Sequence, residues 1–475
     1  MLNIIREIET KYPVNEIRVN DRQVWPYLRI YYDAAYLTKI ATSYGVEEYI
    51  RQQLGSQRRT RMLRILITLF REIPYGFKNW FRKYEYIALT NNNFRRQIAG
   101  KYLNPFLDPI IDEIGPDRVL CMEYAWQIPH YPVDSIYTKH IVFISLLEIL
   151  SQLISILRKI FLKRRNIVNK QVLDMIETDY SLNIDTIRRV DDFESKRKVY
   201  YLLFRIIRPR AVWVAPYNAH LPAVRAAKDL GIKVIEIQHG VIGKEHPAYN
   251  VHRDIERSCF PDHLLVFGKQ ELKTFDNSCF IDEVNVHPVG SFYIDYVKAT
   301  YKPEPQLSER FAGFKRVVGV TLLELLEKPL IPFICDAAKL DGSIFYILIP
   351  RWPQNPMYSI LELPPNVEMI MDRNFYELMA YTDFHSTVAS TCALEAPSLG
   401  VQNILVDIDG QAKWYYEAVL CDSRVTRFVD TPEQYVETIN SFPKLDRDTV
   451  CKLHEDFFAT NYKENIRNFV KNYLL

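Results

Sequence analysis

Glycine is scarce in this sequence, and the nucleotide-binding motifs that depend on glycine are missing. The chain has 15 glycines among its 475 residues. Neither the phosphate loop G-x-x-x-x-G-K-[ST] nor the dinucleotide fingerprint G-x-G-x-x-G occurs. Any nucleotide site must therefore use another arrangement of side chains.

Cysteine pairs are also missing. The seven cysteines lie far apart, and no two of them form a C-x-x-C pair. A scattered set of this kind is typical of reduced thiols in the cytosol, and it argues against a zinc site. The first residues include acids and no small-residue cleavage site, which predicts no signal peptide. We expect a cytoplasmic protein that needs no metal and no other cofactor.

No charge of one sign dominates, and no apolar run is long enough to cross a bilayer. The net charge is +2, and 48% of the residues are hydrophobic. These values are ordinary for a globular protein and exclude a chain that binds polyanions over its whole surface. A spanning helix needs about 20 apolar residues. The apolar run at 141–157 is shorter, and Glu148 and Gln152 interrupt it.

Two segments nevertheless combine apolar and basic residues. Within 58–83, eight arginines and lysines stand against the single acid Glu72, and the apolar run leads into five basic residues within 158–165. Segments of this kind can lie on an anionic membrane surface as amphipathic helices. The alternative is that segments 58–83 and 141–165 are helices docked on their own domain. We predict a peripheral protein of the inner membrane face, with an anionic membrane surface among its partners and no nucleic acid.

Short apolar segments alternate with helical periodicity along the rest of the chain. The predicted strands are 86–90, 119–122, 211–215, 233–238, 263–267, 284–287, 316–320, 344–349, 367–370 and 402–406. This alternation implies βαβ units and parallel sheets. A polar linker is predicted at 302–309, and helical periodicity runs from 449 to 475. We predict an α/β protein with domains 1–305 and 306–455, and a last helix at 456–475 that packs back on the first domain.

Ligands of doubly wound sheets bind beyond the carboxyl ends of the strands, which directs attention to the segment 236–240. His239 directly follows a predicted strand, and an imidazole suits a base that takes a proton from an acceptor hydroxyl. The alternative is a hydrogen-bonded histidine that stabilises the loop. The predicted catalytic residues are His239 and Glu236, and Gln238, Gly240 and His246 are predicted to line the cleft.

A second cluster is rich in hydroxyl groups. It surrounds the predicted start of a helix at 390–399, where free backbone N–H groups favour a phosphate. The residues predicted to bind the donor here are His385, Ser386, Thr387, Ser390, Thr391 and Glu395. Ser390 or Thr391 could instead be an ordinary helix cap. Glu395 either reaches a ribose hydroxyl or is only an acid of the first helical turn.

Two further segments follow predicted strands. Arg351 is predicted to pair with a diphosphate or carboxylate of the donor, and the alternative is a surface arginine. Gly290 and Ser291 are predicted to lie at the cleft, where the glycine would allow a tight turn. An ordinary surface turn fits these two residues equally well. The D-x-D pattern at 407–409 is too common after strands to indicate a metal.

Several of these motifs together resemble one enzyme family. They are Trp25-Pro26-Tyr27-Leu28-Arg29, Gln238-His239-Gly240, Val289-Gly290-Ser291, and Ser386-Thr387 with Glu395-Ala396 and Gly400. They are similar to motifs of the GT-B glycosyltransferases that assemble bacterial surface polysaccharides. These include capsule Kdo-transferase-like proteins, bacterial sialyltransferases and the polyglycerolphosphate transferases of teichoic acid synthesis. The resemblance covers residues 210–410 and, before them, only the W-P-x-L-R element.

The resemblance implies two Rossmann-like domains that face a central cleft, with extra N-terminal helices. It places the nucleotide mainly on the second domain and makes His239 the base that activates the acceptor. Many enzymes that use CMP-sugars carry a His-Pro pair after a strand of the second domain. Here that position is occupied by Arg351-Trp352-Pro353, which leaves UDP-, GDP- and CDP-linked donors open.

We therefore predict a metal-independent glycosyltransferase of bacterial capsule or lipopolysaccharide assembly. It would move a sugar from a nucleotide-sugar to a glycan or lipid-linked acceptor. Two alternatives stay open. A sugar-nucleotide epimerase of similar fold would act without an acceptor, and a non-catalytic assembly protein would keep the fold without the chemistry.

Overall fold

The structure is a computed structural model that describes residues 4–43, 70, 78–80, 82–125, 130–161, 165–243, 246–274, 278–323, 326–351, 358 and 360–474. The chain divides into two compact units. The N-terminal unit consists of 2–266, 275–288 and 463–475, and the C-terminal unit consists of 267–274 and 289–462. The predicted boundary at 305 thus lies inside the C-terminal unit.

The N-terminal unit contains most of the strands. They are β1 (Arg18–Val19), β2 (Arg22–Gln23), β3 (Tyr86–Asn91), β4 (Arg96–Ile98), β5 (Lys101–Leu103), β6 (Val119–Tyr124), β7 (Ile141–Phe143), β8 (Ala211–Ala215), β9 (Lys233–Ile237), β10 (His263–Val266) and β11 (Val286–Pro288). Its helices include α1 (Ile4–Lys11), α2 (Trp25–Ser43), α3 (Asp108–Ile114), α4 (Ser145–Phe161), α5 (Lys170–Asp179), α6 (Thr186–Ile207) and α7 (Leu221–Asp229).

Seven of these strands form one parallel sheet in the spatial order β11-β10-β9-β8-β3-β6-β7. Because β3 comes first along the chain, this is the Rossmann strand order with one strand added, and the winding reverses between β3 and β8. Ala88 of β3 pairs with Cys121 on one side and Trp213 on the other, and all three residues are buried. Burial on both faces explains why these strands appear in the sequence as continuous apolar runs.

The C-terminal unit repeats the alternation of strands and helices. In chain order it contains α8 (Gln270–Thr274), α9 (Phe292–Thr300), α10 (Pro305–Phe311), β12 (Arg316–Thr321), α11 (Glu327–Leu340), β13 (Ile344–Ile349), β14 (Val367–Met369), α12 (Phe375–Leu378), β15 (Phe384–Ser386), α13 (Cys392–Ser398), β16 (Gln402–Val406), α14 (Gln411–Tyr416), β17 (Thr426–Val429), α15 (Pro432–Ser441) and α16 (Arg447–Leu453). The last helix of the chain is α17 (Tyr462–Tyr473).

Its six strands form a parallel sheet in the order β14-β13-β12-β15-β16-β17, again the Rossmann order. The winding reverses between β12 and β15. β15 was not predicted from the sequence, where its residues belong to the hydroxyl-rich cluster before a helix. The strand has three residues, and two of them are His385 and Ser386, so no apolar run marks it.

Three predicted segments need correction. The linker predicted at 302–309 contains the start of α10, whose first residue is Pro305, a position where a missing N–H costs little. The helical run at 449–475 is two helices, α16 and α17. Between them, Asn461 adopts a left-handed backbone conformation with φ 64°. The apolar run that begins at 141 forms strand β7 before it continues as helix α4.

The helices α9 and α17, which lie near the two predicted domain boundaries, each pack within one unit. In the C-terminal unit, the ring of Tyr293 in α9 lies 4.6 Å from that of Tyr376. In the N-terminal unit, Phe469 of α17 lies 4.8 Å from the ring of His287 in β11. The last helix therefore packs on the sheet of the N-terminal unit.

Of the two predicted basic segments, 58–83 lies outside the described residues except for 70, 78–80, 82 and 83. In the other, α4 packs against α6, where Arg158 donates a hydrogen bond to Asp191. α4 also exposes a row of large apolar side chains: Leu146, Leu150, Leu153, Ile156 and Leu157. Within the described part of the chain, no helix has the length and apolarity that crossing a membrane requires.

Two glycines allow the segment 456–459 to approach closely. A Cβ atom on Gly268 would lie 2.2 Å from the carbonyl oxygen of Asp456, and one on Gly290 would lie 2.1 Å from that of Ala459. Gly290 also has a φ of +93°, which other residues rarely adopt. The glycine at 290 is therefore required by packing within the C-terminal unit.

We expect Gly290→Ala to destabilise the protein by at least about 2 kcal/mol, because a backbone clash adds to the cost of a left-handed conformation. Urea unfolding measures the difference. Gly313→Ala is the control, since a Cβ there meets no atom within 4 Å. Equal stability of the two variants would show that the segment 456–459 moves aside at no cost.

Candidate active site

The parallel register brings the residues that follow four strands of the N-terminal sheet to one edge. β3 pairs with β6 and β8, and β8 pairs with β9, so their carboxyl ends lie side by side. Phe94 follows β3 and His239 follows β9, and their rings are 5.6 Å apart. We call this region the carboxyl edge. It includes the point where the winding reverses, which is where doubly wound sheets bind their ligands.

Glu236 of β9 holds a buried carboxyl group at the carboxyl edge. Its Oε1 accepts hydrogen bonds from the backbone N–H of Tyr217 at 3.2 Å and from the hydroxyl of Tyr249 at 3.0 Å. Its Oε2 has no partner among the described residues. Burial raises the pKa of Glu236 to about 8, although the two hydrogen bonds act to lower it. The carboxyl group is therefore mainly protonated at neutral pH and can donate a hydrogen bond.

His239 is half-buried, and its Nδ1 is buried with no hydrogen-bond partner among the described residues. Removal from water, and then the proximity of His246, lower the pKa of His239 to about 4. Burial, followed by the charge of Arg29, lowers the pKa of His246 to about 4 as well. Both rings are neutral at pH 7. The side chain of Gln238 donates to the carbonyl oxygen of Gly240 at 2.9 Å, which closes the turn that carries His239.

A buried ion pair from the first two helices holds the loop that follows His239. Arg29 Nε donates to Glu9 Oε1 at 2.8 Å, and both side chains are fully buried. The terminal guanidinium nitrogens donate to the carbonyl oxygens of Pro247 and Asn250. Trp25 Nε1 also donates to Glu9 Oε1, at 2.9 Å. The W-P-x-L-R element thus anchors the loop whose tyrosine bonds the buried carboxyl group described above.

Four titratable side chains at the carboxyl edge have a buried polar atom with no hydrogen-bond partner in the described part of the chain. These atoms are His130 Nε2, His220 Nε2, Glu236 Oε2 and His239 Nδ1. Leaving a buried polar atom unsatisfied costs about 1–3 kcal/mol. Such atoms, together with perturbed pKa values, are concentrated at functional sites. The carboxyl edge is therefore the candidate active site.

His130 and His220 were not predicted from the sequence as site residues. His220 follows β8, and burial lowers its pKa to about 4. His130 follows β6, and its Nδ1 lies 3.1 Å from Glu123 Oε1. The signal that could have found them is their position, because each lies in the segment that follows a predicted strand, as His239 does.

In the C-terminal unit, three of the residues predicted to contact a nucleotide are buried in the sheet. His385, Ser386 and Thr387 are all 0% exposed. The two ring nitrogens of His385 lie 2.9 Å from Thr321 Oγ1 and from Asn403 Oδ1, and burial lowers the pKa of His385 to about 4. The hydroxyls of Ser386 and Thr387 also bond within the unit. These three side chains support the sheet, and their polar groups are engaged there.

The other predicted donor contacts follow β13 and β15, at the carboxyl ends of the strands. Arg351 is exposed, and Ser390, Thr391 and Glu395 are half-buried. Ser390 Oγ accepts from the N–H of Cys392 at 3.3 Å, which is the capping role considered for this serine. Thr391 directly precedes α13, and its side chain makes no cap bond. Glu395 Oε1 accepts from the hydroxyl of Tyr376 at 2.7 Å.

The remaining predicted positions have structural roles or mark turns. Ser291 precedes α9 and makes no side-chain cap bond. Asp407 accepts from the backbone N–H of Lys413 at 3.0 Å, and its other oxygen lies 3.3 Å from Lys413 Nζ. Among the residues that the structure describes, no group of three or more histidine, cysteine or acidic side chains could hold a metal ion.

No protein-family model matches the chain, and no curated protein matches its sequence. Solved structures resemble it in fold. The calicheamicin glycosyltransferase CalG4 has a TM-score of 0.50 and 14% identity, over 82% of this chain and 98% of that one. The glycotransferase of kitacinnamycin has a TM-score of 0.49 and 13% identity, over 82% of this chain and 99% of that one. MnaA of S. aureus with UDP has a TM-score of 0.47 and 11% identity, over 82% of this chain and 96% of that one. The likeness to CalG4 shows the fold alone, and it confirms the predicted GT-B-like class of two Rossmann-like domains.

The stability of the protein should fall as the pH rises through the range in which Glu236 ionises. Its folded pKa of about 8 lies above the ordinary value of 4.5. The stabilising effect of this proton is complete below about pH 4.5 and is lost by about pH 8. The side chain of the Glu236→Gln variant cannot ionise. Its free energy of unfolding should therefore fall less steeply as the pH rises, by up to about 1.4 kcal/mol per pH unit.

Urea unfolding between about pH 5 and pH 8 measures the two slopes. Glu417→Gln, which replaces an exposed glutamate, is the control and should keep the slope of the original protein. If Glu236→Gln kept that slope too, the carboxyl group would not be the protonated acid described above.

Proposed function

We propose that the protein is a glycosyltransferase that moves a sugar from a nucleotide-sugar donor to a glycan or lipid-linked acceptor. The observation that carries this proposal is the set of four buried polar atoms at the carboxyl edge that have no hydrogen-bond partner among the described residues. A protonated carboxyl group and neutral imidazoles can bind hydroxyl groups and transfer protons without a metal ion. Sugar transfer to a hydroxyl needs both, because the acceptor must be held and must lose its proton.

The biological setting that we propose is the assembly of a bacterial surface polysaccharide, such as capsule or lipopolysaccharide. Its support is the W-P-x-L-R element together with the glycine-containing motifs that follow the strands. Trp25 and Arg29 of that element bond Glu9 and hold the loop of the candidate active site. The element therefore acts at the same site that the proposed chemistry uses.

The donor is proposed to bind the C-terminal unit, at the carboxyl ends of β13 and β15. Arg351 would pair with the diphosphate, since guanidinium groups bind phosphate oxygens in a forked geometry. The hydroxyls of Ser390 and Thr391 would contact the phosphate or ribose, and Glu395 a ribose hydroxyl. His385 and its buried neighbours are assigned to the sheet, because their polar groups are already bonded there.

His239 and Glu236 are proposed to bind the acceptor. The protonated Oε2 of Glu236 can donate to an acceptor oxygen, and the neutral ring of His239 can accept from a hydroxyl. A pKa of about 4 makes His239 a poor holder of a proton, because a general base works best with a pKa near the working pH. We therefore propose that His239 binds a hydroxyl group of the acceptor but is not the base that takes the proton of the reacting hydroxyl.

We also propose that the protein binds the cytoplasmic face of an anionic membrane through α4 and the basic residues that follow it. Leu150, Leu153 and Ile156 are 42%, 50% and 53% exposed. A contiguous exposed apolar patch is typical of an interaction surface. Arg158 and Arg165 pair with Asp191. The other basic residues of 158–165, which are Lys159, Lys163 and Arg164, lie next to the patch along the chain and would contact anionic headgroups.

A thermal-shift panel of UDP-, GDP-, CDP- and CMP-sugars tests the proposed function. One of them should raise the melting temperature, since a ligand that binds only the folded state stabilises it. His239→Ala should keep this rise and lose at least about tenfold in transfer rate, as the loss of one hydrogen bond in the transition state predicts.

Three results would contradict the proposal in different ways. Epimerised sugar formed without an acceptor would favour an epimerase. No stabilisation by any of the nucleotides would favour a non-catalytic assembly protein. Full transfer activity of a folded His239→Ala variant would remove His239 from the site while leaving the reaction in place.

For the membrane proposal, the double variant Leu153→Glu, Ile156→Glu should bind phosphatidylglycerol vesicles several-fold more weakly, because two exposed apolar side chains that would enter the membrane become charged. Co-sedimentation at low and high salt measures binding. Leu340→Glu is the matched control, since Leu340 is 52% exposed and lies in the C-terminal unit. Unchanged binding of the double variant would exclude α4 as the contact surface.

A further inference from the structure

A buried ionic network lies on the carboxyl edge beside the proposed acceptor site. Arg95 directly follows Phe94, whose ring contacts His239. Arg95 Nε donates to Glu123 Oε2, and Arg95 Nη1 lies 3.4 Å from Asp108 Oδ2. All three charged side chains are buried. The network therefore connects the turn after β3 with the carboxyl end of β6.

His130 adds one hydrogen bond to this network through Nδ1, and its Nε2 has no partner in the part of the chain that the structure describes. Burial alone would raise the pKa of Glu123, but the charge of Arg95 and the hydrogen bonds from His130 and Arg95 hold it below its usual value. The ionised carboxylate can only accept, so His130 Nδ1, 3.1 Å away, carries the proton. Nε2 of the neutral ring is then a hydrogen-bond acceptor, and it is buried with no partner among the described residues.

The His130 ring is held in one orientation. It stacks on Phe143 of β7 with a centroid distance of 3.8 Å and an interplanar angle of 20°, while Nδ1 is tied to Glu123. A fixed ring with one bonded and one free nitrogen is the arrangement in which a carboxylate orients an imidazole for proton transfer.

His140 shows that a buried histidine beside a carboxylate need not have a free nitrogen. Its Nδ1 lies 3.3 Å from Asn79 Oδ1 and its Nε2 lies 2.8 Å from Asp117 Oδ1. It precedes β7 and so lies at the amino-terminal edge of the same sheet. His130 and His140 are similarly exposed, at 8% and 9%. They differ in two ways: His130 lies at the carboxyl edge, and its Nε2 has no partner among the described residues.

We propose that His130, oriented by Glu123, is the general base that removes the proton from the acceptor hydroxyl. This inference rests on the proposed glycosyl transfer. The acceptor oxygen bonds to the anomeric carbon of the donor sugar. The bond from that carbon to the phosphate oxygen breaks, and its electron pair leaves with the nucleotide. The hydroxyl proton moves to His130 Nε2, and Glu123 stabilises the imidazolium through Nδ1–H.

His130 and His239 have different neighbours. Glu123 lies against both Arg95 and His130, so a positive charge on the His130 ring would have a carboxylate 3.1 Å from its Nδ1. By contrast, the neighbour that opposes a positive charge on His239 is another histidine ring, His246. His130 therefore has a carboxylate partner, which His239 lacks among the described residues.

The variant His130→Gln tests the proposal, because glutamine keeps an N–H donor for Glu123 but cannot act as a base. The rate is measured as nucleotide released from the UDP-, GDP-, CDP- or CMP-sugar that raises the melting temperature. It should fall at least about 100-fold, with the donor-induced stabilisation unchanged. His140→Gln is the matched control and should keep at least half of the rate. The pH–rate profile of the original protein should fall at acidic pH, and His130→Gln should lack this fall.

Glu123 is proposed as a positioning residue, and its variant has its own test. Glu123→Gln should lower kcat while leaving KM for the donor unchanged. In ¹⁵N spectra of histidine-labelled protein near neutral pH, His130 should be the Nδ1–H tautomer. An Nε2–H tautomer would overturn the proposal without any activity measurement.

The outcomes separate this inference from the function on which it rests. If His130→Gln retains its rate while His239→Ala loses it, the base assignment is overturned and sugar transfer stands. If none of the four donor classes raises the melting temperature of the original protein, the proposed function fails and the base assignment fails with it.

Discussion

The buried ion pair between Glu9 and Arg29 is the interaction on which the candidate site depends. Both partners of the pair also bond the loop. Glu9 Oε2 accepts from the backbone N–H of His252 at 2.7 Å, and Arg29 donates to carbonyl oxygens of the same loop. A buried pair adds little stability compared with apolar residues, but removing one partner costs about 3–5 kcal/mol. The pair therefore serves mainly to specify where the loop lies, and with it Tyr249, which bonds Glu236.

The fixed loop is part of an edge that holds two carboxyl groups, Glu236 and Glu123, in opposite protonation states. Glu236 is surrounded by uncharged donors, so burial keeps it protonated at neutral pH. Glu123 lies against the guanidinium of Arg95, so it stays ionised although it is equally buried. Pairs of titratable groups with pKa values driven apart by their surroundings are typical of acid–base sites. The neutral acid is suited to hold a hydroxyl, and the carboxylate is suited to support a charged imidazole.

Much of the fold could be predicted because its strands are buried on both faces, which makes apolar runs conspicuous in the sequence. The position of 236–240 at a strand end followed from the same pattern. β15 was missed because His385 takes its partners from β12 and β16, which no local pattern records. The W-P-x-L-R element was visible as a motif, but its partner Glu9 and its target loop are joined only by the fold. Glu123 and His130 were not predicted as site residues for the same reason. Arg95, the third member of their network, lies in a different turn, and only the fold joins the three.

Four buried polar atoms at the carboxyl edge have no hydrogen-bond partner among the described residues, and such atoms raise the free energy of the folded state. Each costs about 1–3 kcal/mol, while the whole folded state of a typical domain is stable by only about 5–15 kcal/mol. A protein that served only as a scaffold would gain stability by replacing Glu236 or His130 with an apolar residue that fills the same space. The unused hydrogen-bonding capacity at Glu236, His239, His220 and His130 is explained if a ligand rich in hydroxyl groups completes it. Binding of such a ligand would offset a cost that the unbound chain bears.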